Sequence, residues 1–231
     1  TLPAQFLLSG AGPLADPSIP DIKGIDTFEG TMFHSARWDH DHDLTGRKVA
    51  VIGTGASSIQ FVPEIQPRAG ELKLFQRTAP WVMFRHDRDI TKLEKLLYRT
   101  FPITQQIARK SIYWGRESYV LGFAKNPKLL GVVEALGRAN IARGIKDPAL
   151  RAKVTPNFRA GCKRILMSND YYPALTQPNV DVVTDGIVEV RAHSIVTRDA
   201  SGVETEHEVD TIILGTGFHV TEPPVAQRVF N

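Results

Sequence analysis

Hydrophobic runs bounded by glycine predict the core strands of an α/β domain. The stretch RKVAVIGTGASSIQFVPEI (residues 47–65) has the pattern of strand, glycine turn and helix, and GELKLFQRT (70–78) supplies a second strand. Near the two ends, Phe6–Leu8 and Ile212–Leu214 are short apolar runs that each precede a glycine turn. Both predict buried strands, and their similar design hints at one shared sheet. Two unrelated strands are the alternative, because buried strands are common.

The spacing of apolar residues differs between the segments that lie between and after these strands. Residues 88–150 carry apolar positions at helical spacing, whereas residues 179–214 predict short strands with hairpin-like turns at Asp185-Gly186 and Ser201-Gly202. Helix breaks are expected at Pro102, Pro127 and Pro148. Because both ends of 88–150 return to strand-rich sequence, a helical insertion in an α/β domain is favoured over a separate helical domain.

Composition and charge narrow the class of protein. The 231 residues include 42% apolar residues, and no apolar run approaches the roughly 18 residues of a membrane span. A lone cysteine, Cys162, excludes an internal disulfide and favours a cytoplasmic location. The net charge of +3 conceals a basic segment, since residues 85–153 hold 15 Lys and Arg against 6 Asp and Glu. A solvated helical surface is favoured there over an interface for anions or nucleic acid, because no nucleic-acid-binding motif accompanies the charge.

The glycine turn predicts a dinucleotide site. Gly53, Gly55 and Ser58 follow the pattern G-x-G-x-x-small, and the strand before and the helix after them lift the motif above chance. Gly53 permits a tight turn, Gly55 permits close approach to a pyrophosphate, and the helix N-terminus offers free N–H groups. Ser58 replaces the usual third glycine, so slightly looser packing between helix and strand is expected. The expected cofactor-binding residues of the turn are Gly53, Thr54, Gly55, Ala56, Ser57, Ser58 and Gln60.

The end of the second strand favours NADP(H) over NAD(H). An NAD site carries an acidic residue about 20 residues beyond the glycines, bonded to the ribose hydroxyl. This strand ends instead in Gln76-Arg77-Thr78, where Arg77 offers a planar donor fork for a 2′-phosphate and Thr78 adds a hydroxyl. The alternative is a surface arginine that closes a strand.

The stretch FEGTMFHSARWD, which lies just ahead of the turn, identifies a family. It matches F-x-G-x-x-x-H-x-x-x-W-(P/D) through Phe28, Gly30, His34, Trp38 and Asp39. The chain therefore resembles the type I Baeyer–Villiger monooxygenases, the class B flavoprotein monooxygenases. Further segments resemble the same family: GTGASSIQ, FQRTAPWV, CKRILMSNDYYPAL and ILGTGF, the last with Gly215 where the family has alanine.

This resemblance implies an FAD-dependent enzyme that uses NADPH and O₂ to convert ketones to esters or lactones through a flavin peroxide. By position, Arg164 would be the catalytic arginine that stabilises the flavin peroxide as an anion, and Lys163 would lie near the NADP phosphate. His34 would lie at a domain junction and couple the domains. A small-molecule ketone and O₂ are the expected partners. We expect no nucleic acid and no membrane span, and the resemblance does not specify the oligomeric state.

Three alternatives stay open at this point. A flavin-dependent N- or S-oxygenase is disfavoured by Trp38-Asp39, because related flavin-containing monooxygenases end this motif in Tyr-Lys. A non-catalytic NADP-binding module is the second alternative. The third, a metal site, is disfavoured because alternating histidine and acid on a linker is more often solvated. The residues it would use are His34, Asp39, His40, Asp41, His42 and Asp43.

The resemblance also predicts a domain organisation. Residues 1–45 would hold a return strand of an FAD domain and the fingerprint linker, and residues 211–231 would return to that domain. Residues 46–87 and 151–210 would form a Rossmann-like NADP domain interrupted by the insertion 88–150. Because the chain shows no second glycine fingerprint, we expect an internal fragment whose FAD site lies mostly outside it and which is inactive alone.

Overall fold

The computed structural model describes residues 6, 12, 14–85, 87–124 and 130–220, with the backbone alone at residue 119 and residues 121–124. The chain divides into two compact units, Thr1–Ala79 with Asp170–Asn231 and the intervening Pro80–Asn169. The strands are β1 (Thr31–His34), β2 (Lys48–Ile52), β3 (Glu71–Phe75), β4 (Val82–Met83), β5 (Leu166–Met167), β6 (Val180–Val183), β7 (Gly186–Arg191), β8 (Ser194–Arg198), β9 (Glu204–Glu208) and β10 (Thr211–Leu214). The helices are α1 (Ser58–Ile65), α2 (Lys92–Thr100), α3 (Pro102–Ala124), α4 (Leu130–Gly144), α5 (Pro148–Val154) and α6 (Tyr171–Leu175).

A parallel five-stranded sheet forms the centre of the first unit. Its order is β1-β10-β2-β3-β6, and each neighbouring pair is parallel. The apolar runs of β2 and β10 are buried almost throughout, as expected for strands that are covered on both faces. The predicted α/β class with a Rossmann-like sheet is confirmed.

The strand order reverses at β2, which places a topological switch point there. From β2 the chain passes through α1 to β3 on one side, whereas β10 lies on the other side. Ligands of open α/β sheets bind outside the carboxyl ends of the strands at such a point. The turns that follow β2 and β10 therefore share the crevice edge of this sheet.

Two segments that the resemblance assigns to an FAD domain contribute strands to this sheet. Thr31↔Thr211 and Thr211↔Val49 are in register, so β10 fills the place between β1 and β2. Such pairing is decided by long-range contacts, which short apolar runs do not reveal. The domain boundaries stay predictions. The predicted strand at Phe6–Leu8 falls outside the described residues except for Phe6, which is exposed.

Strands β7, β8 and β9 form a separate antiparallel meander. The predicted turn at Ser201-Gly202 joins β8 to β9, and Gly202 has a φ of +89°. The predicted hairpin at Asp185-Gly186 is wrong, because β6 and β7 belong to different sheets. The first hairpin of the meander turns instead between Arg191 and Ser194.

The second unit is mainly helical and extends beyond the predicted insertion at both ends. Its short strands β4 and β5 pair in parallel and so include residues before 88 and after 150. Pro102 and Pro148 begin α3 and α5 as predicted, whereas Pro127 lies outside the described residues. Trp81 and Leu130 are buried together in the core of this unit. Within the described residues, no helix is both long and apolar enough to span a membrane.

Candidate functional site

The turn after β2 requires glycine at its first position. Gly53 has a φ of +105°, and its N–H donates a 3.1 Å hydrogen bond to the carbonyl oxygen of Phe75 on β3. A Cβ at this position would lie 2.5 Å from the carbonyl oxygen of Gly215, which follows β10. The predicted tight turn is therefore present, and it packs directly against the end of β10.

Gly55 leaves a cradle that a side chain would fill. It is exposed, and a Cβ there would meet only the Gly215 carbonyl oxygen, at 3.9 Å. Nothing in the described part of the chain thus requires glycine at this position, whereas close approach of a ligand would. The backbone N–H groups of residues 54–58 donate no hydrogen bond to any described residue. These free donors precede α1, so the turn fits the pyrophosphate of a dinucleotide.

The remaining turn residues shape this loop. Ala56 and Ser57 are half-buried, and the side chain of Gln60 donates a 2.7 Å hydrogen bond to the Ala56 carbonyl oxygen. Ser58 is fully buried, and its hydroxyl lies against Gly215. The expected looser packing is therefore wrong: Ser58 fills space that the side-chain-free Gly215 leaves open.

Arg77 lies exposed directly after β3, the strand next to β2. Among the described residues no acidic side chain forms an ion pair with it. Thr78 is tied to the turn, because the hydroxyl of Thr54 donates a 3.1 Å hydrogen bond to the Thr78 carbonyl oxygen. Gln76 is buried and points its backbone N–H at the Val183 carbonyl oxygen. The guanidinium of Arg77 thus lies at the same sheet edge as the glycine turn and is accessible to an anion.

The fingerprint packs onto helix α1. The ring of Trp38 contacts Phe33 of β1 and Phe61 of α1, with ring centroids 5.1 Å and 5.3 Å away. Gly30 is required by close packing, since a Cβ there would collide with the carbonyl oxygen of Asp210.

Two further contacts complete the fingerprint. The ring of Phe28 packs on the core of the sheet. Asp39 Oδ1 accepts a 3.1 Å hydrogen bond from the Asp41 N–H, which stabilises the turn that follows Trp38. The fingerprint therefore has a structural role on the described chain, since it fixes β1 and the following loop against α1.

His34 lies buried at the carboxyl end of β1. Its Nδ1 accepts a 3.1 Å hydrogen bond from the Ala36 N–H, and its ring meets the edge of Phe218 at 5.6 Å between centroids. Burial is the main cause that lowers the pKa of His34 below its usual 6.5; the Gly217 backbone opposes it, and the charge of Arg37 adds to it. The ring is therefore neutral near pH 7. Its neighbour Phe218 lies close to the end of the described residues.

The lowered pKa of His34 predicts an acid-sensitive fold. Between pH 6.5 and the folded pKa the unfolded state binds more protons, so the free energy of unfolding falls as pH is lowered through this window. His34→Gln should flatten part of this fall. Urea unfolding at pH 7.5 and pH 5.5 measures it, with exposed His40→Gln as the control. Equal pH dependence in both variants contradicts the assignment to His34; some dependence should persist because burial also lowers the pKa of His207.

Lys163 and Arg164 lie in the second unit, just before β5. Both are exposed, and Lys163 Nζ sits 4.9 Å from the centroid of the Phe158 ring. Gly161, with a φ of +96°, turns the chain toward them, and neighbouring Cys162 is exposed. No ion pair within the described part of the chain holds the guanidinium of Arg164. The roles of these two side chains stay predictions.

Side chains of the acid- and histidine-rich linker form hydrogen bonds with neighbouring residues. His42 Nε2 lies 2.8 Å from the hydroxyl of Thr211, and Asp43 accepts hydrogen bonds from Thr45 and Arg68. Over residues 14–85, 87–124 and 130–220, no three His, Cys, Asp or Glu side chains come together in a way that could hold a metal ion. These side chains therefore brace the loop before β2.

Gly215 is the site residue that sequence reasoning missed. The sequence shows it only as a departure from a family motif, yet its backbone contacts both Gly53 and Ser58. The sequence did contain a signal for this contact: relative to the family motifs, position 58 holds a larger residue and position 215 a smaller one. Their contact across the switch point links them.

Comparison with known proteins finds similarity to flavin-binding monooxygenases. The family described as flavin-binding monooxygenase-like matches residues 7–114. A Baeyer–Villiger monooxygenase of Streptomyces coelicolor is 56% identical over 230 residues, which cover 99% of this chain and 43% of that protein. One from Pseudomonas aeruginosa is 50% identical over 228 residues, covering 99% and 42% respectively. This chain thus spans less than half the length of these relatives.

Solved structures agree in fold. A steroid monooxygenase bound to NADP superposes with a TM-score of 0.71 at 28% identity, over 90% of this chain and 46% of that one. An open structure of cyclohexanone monooxygenase gives 0.71 at 25% identity, over 90% and 47%. The similarity therefore extends to nearly all of this chain.

Proposed function

We propose that this chain is the NADPH-binding portion of an FAD-dependent Baeyer–Villiger monooxygenase, because it is similar to flavin-binding monooxygenase-like proteins over residues 7–114 and to two Baeyer–Villiger monooxygenases over nearly its whole length. The full-length enzyme would insert one oxygen atom of O₂ into a ketone and release an ester or lactone. Trp38 and Asp39, which complete the fingerprint, favour this over oxygenation of amines or sulfides.

One observation carries the proposal: the glycine turn at the switch point. The φ of Gly53, the open space beside Gly55 and the N–H groups of residues 54–58, which donate to no described residue, together form an anion cradle at the start of α1. Such a cradle binds the pyrophosphate of a dinucleotide through backbone donors and the positive end of the helix.

The residues of this chain would divide the work of binding. The turn would hold the pyrophosphate, and Arg77 with Thr78 would hold the 2′-phosphate that distinguishes NADPH from NADH. Lys163 would add a positive charge near a phosphate. Arg164 would stabilise negative charge that develops on the reacting oxygen, because a guanidinium stays charged at any working pH. FAD, when bound, would supply the activation of oxygen.

Arg77→Ala tests the choice of cofactor. The variant should bind NADPH about 10- to 100-fold more weakly, the loss expected for a charge-assisted bidentate contact, and bind NADH unchanged. Fluorescence titration of both nucleotides measures this. Arg198→Ala, which removes an exposed arginine from β8, is the matched control. NADH that binds the unchanged chain as tightly as NADPH would contradict the role of Arg77.

The reaction class is tested with the full-length protein that contains this chain. Given NADPH, O₂ and an equimolar mixture of a cyclic ketone and a tertiary amine, it should form mainly the lactone. Product analysis by mass spectrometry decides the question, and an N-oxide as the main product would overturn the proposal.

A further inference from the structure

Gly215 is held on three sides by the turn after β2. Its N–H donates a 2.8 Å hydrogen bond to the carbonyl oxygen of Ile52, the last residue of β2. Its carbonyl oxygen faces Gly53, where any Cβ would lie 2.5 Å from it. Its Cα faces the hydroxyl of Ser58, so closely that a Cβ on Gly215 would overlap Ser58 Oγ. The turns after β2 and β10 are thus in contact along their backbones.

The third contact depends on one side chain. Ser58 begins α1 and is completely buried, and its hydroxyl forms no hydrogen bond with any described residue. Its observed contribution is therefore steric: Oγ occupies the volume next to Gly215 that a methyl group would otherwise take. A serine at 58 and a glycine at 215 are complementary in size.

We propose that Ser58 and Gly215 are a pair of positioning residues that set the spacing of the two turns and, through it, the affinity of the glycine turn for the pyrophosphate of NADPH. The inference rests on the proposed function, since it concerns the same nucleotide. Hydrogen bonds from N–H groups to phosphate oxygens weaken steeply with distance and angle, so a small shift of Gly53 or Ser58 weakens several at once. Arg77 follows β3 and is not among the residues that crowd Gly215, so we expect the 2′-phosphate end of the nucleotide to depend on the pair much less than the pyrophosphate does, even though Thr54 links the turn to the backbone of Thr78.

A double-mutant cycle tests the pair. The four proteins are the unchanged chain, Gly215→Ala, Ser58→Gly and the double variant, each titrated with NADPH and with adenosine 2′-monophosphate, which lacks the pyrophosphate. Gly215→Ala should weaken NADPH binding about tenfold, as for one lost hydrogen bond to a charged group. Ser58→Gly should weaken it about threefold, since the gap loosens the first turn of α1. The double variant should return to within about twofold of the unchanged chain, because the alanine methyl replaces the hydroxyl.

Affinity for adenosine 2′-monophosphate should stay unchanged in all four proteins, which separates positioning from a general loss of structure. Additive effects of the two substitutions on NADPH, or a parallel loss of both ligands, would overturn the inference. If Gly215→Ala does not fold, Ser58→Gly and the double variant decide, because a double variant that binds no better than Ser58→Gly contradicts the pairing. Failure of the unchanged chain to bind NADPH would instead contradict the proposed function, and the inference would fall with it.

Discussion

Gly53→Ala should lower the free energy of unfolding by about 3 kcal/mol and abolish measurable binding of NADPH. A φ of +105° costs an L-residue roughly 1–2 kcal/mol. The new methyl group would also lie 2.5 Å from the Gly215 carbonyl oxygen, which adds about 1–3 kcal/mol of overpacking. Because the turn must move to relieve this contact, its N–H groups would no longer converge on a pyrophosphate.

Gly202→Ala is the matched control for this substitution. Gly202 has a φ of +89° in the β8–β9 turn, and among the described residues no atom beyond its two chain neighbours lies within 4 Å of the position that a Cβ would take. This variant should carry the conformational cost alone, about 1–2 kcal/mol, and leave the affinity for NADPH unchanged. Urea unfolding and nucleotide titration of both variants give the comparison. Equal losses of stability, with NADPH binding retained in Gly53→Ala, would show that contact with Gly215 does not matter.

Trp81→Ala should destabilise the second unit by about 3–5 kcal/mol. Trp81 is 1% exposed, and its Nε1–H donates a 2.9 Å hydrogen bond to the Phe158 carbonyl oxygen. Gly137 of α4 packs so closely on the ring that a Cβ there would overlap it, and the Arg138 guanidinium lies 5.4 Å from the ring centroid. Alanine would leave a large cavity and deprive the Phe158 carbonyl oxygen of its indole donor.

Trp114→Ala tests whether burial causes that loss. Trp114 lies on α3 of the same unit and is 68% exposed, so its removal should change stability by no more than about 0.5 kcal/mol. Urea unfolding followed by circular dichroism serves for both variants. Similar losses in the two would contradict the packing described for Trp81, whereas a loss confined to Trp81→Ala supports it.

The local part of this fold could be predicted from the sequence. Strand, glycine turn and helix around Gly53 follow from an apolar run, a backbone position that only glycine adopts easily, and the helical period after it. Tyr171 and Tyr172 follow Asp170 at the start of α6, and both are buried. Each of these features depends on neighbours within a few residues.

The non-local part could not be predicted in this way. Nothing within Thr31–His34 specifies a strand, and its place is decided by pairing with β10, which lies about 180 residues further along the chain. The Asp185-Gly186 dipeptide has hairpin chemistry, yet tertiary packing sends β6 and β7 into different sheets. The mutual fit of Ser58 and Gly215 likewise arises only when β10 lies beside β2.

The candidate site likewise has a local part that could be predicted from the sequence and a part that could not. The glycine turn and the exposed Arg77 were predictable because they belong to one strand–turn–helix unit and the strand after it. The roles of Lys163 and Arg164 rest on resemblance, because an exposed basic pair in a loop does not by itself distinguish a site residue from a surface charge. They remain predictions.

The position of β10 has a consequence for how the chain folds. Strand β10 lies between β1 and β2 in the sheet. It follows the other four strands of the sheet along the chain, so it leaves the ribosome after them. Until it emerges, β1 lacks its partner and β2 exposes an unpaired apolar edge, the arrangement that favours aggregation. Sheet closure therefore waits for contacts of high sequence separation, an arrangement that favours slow folding.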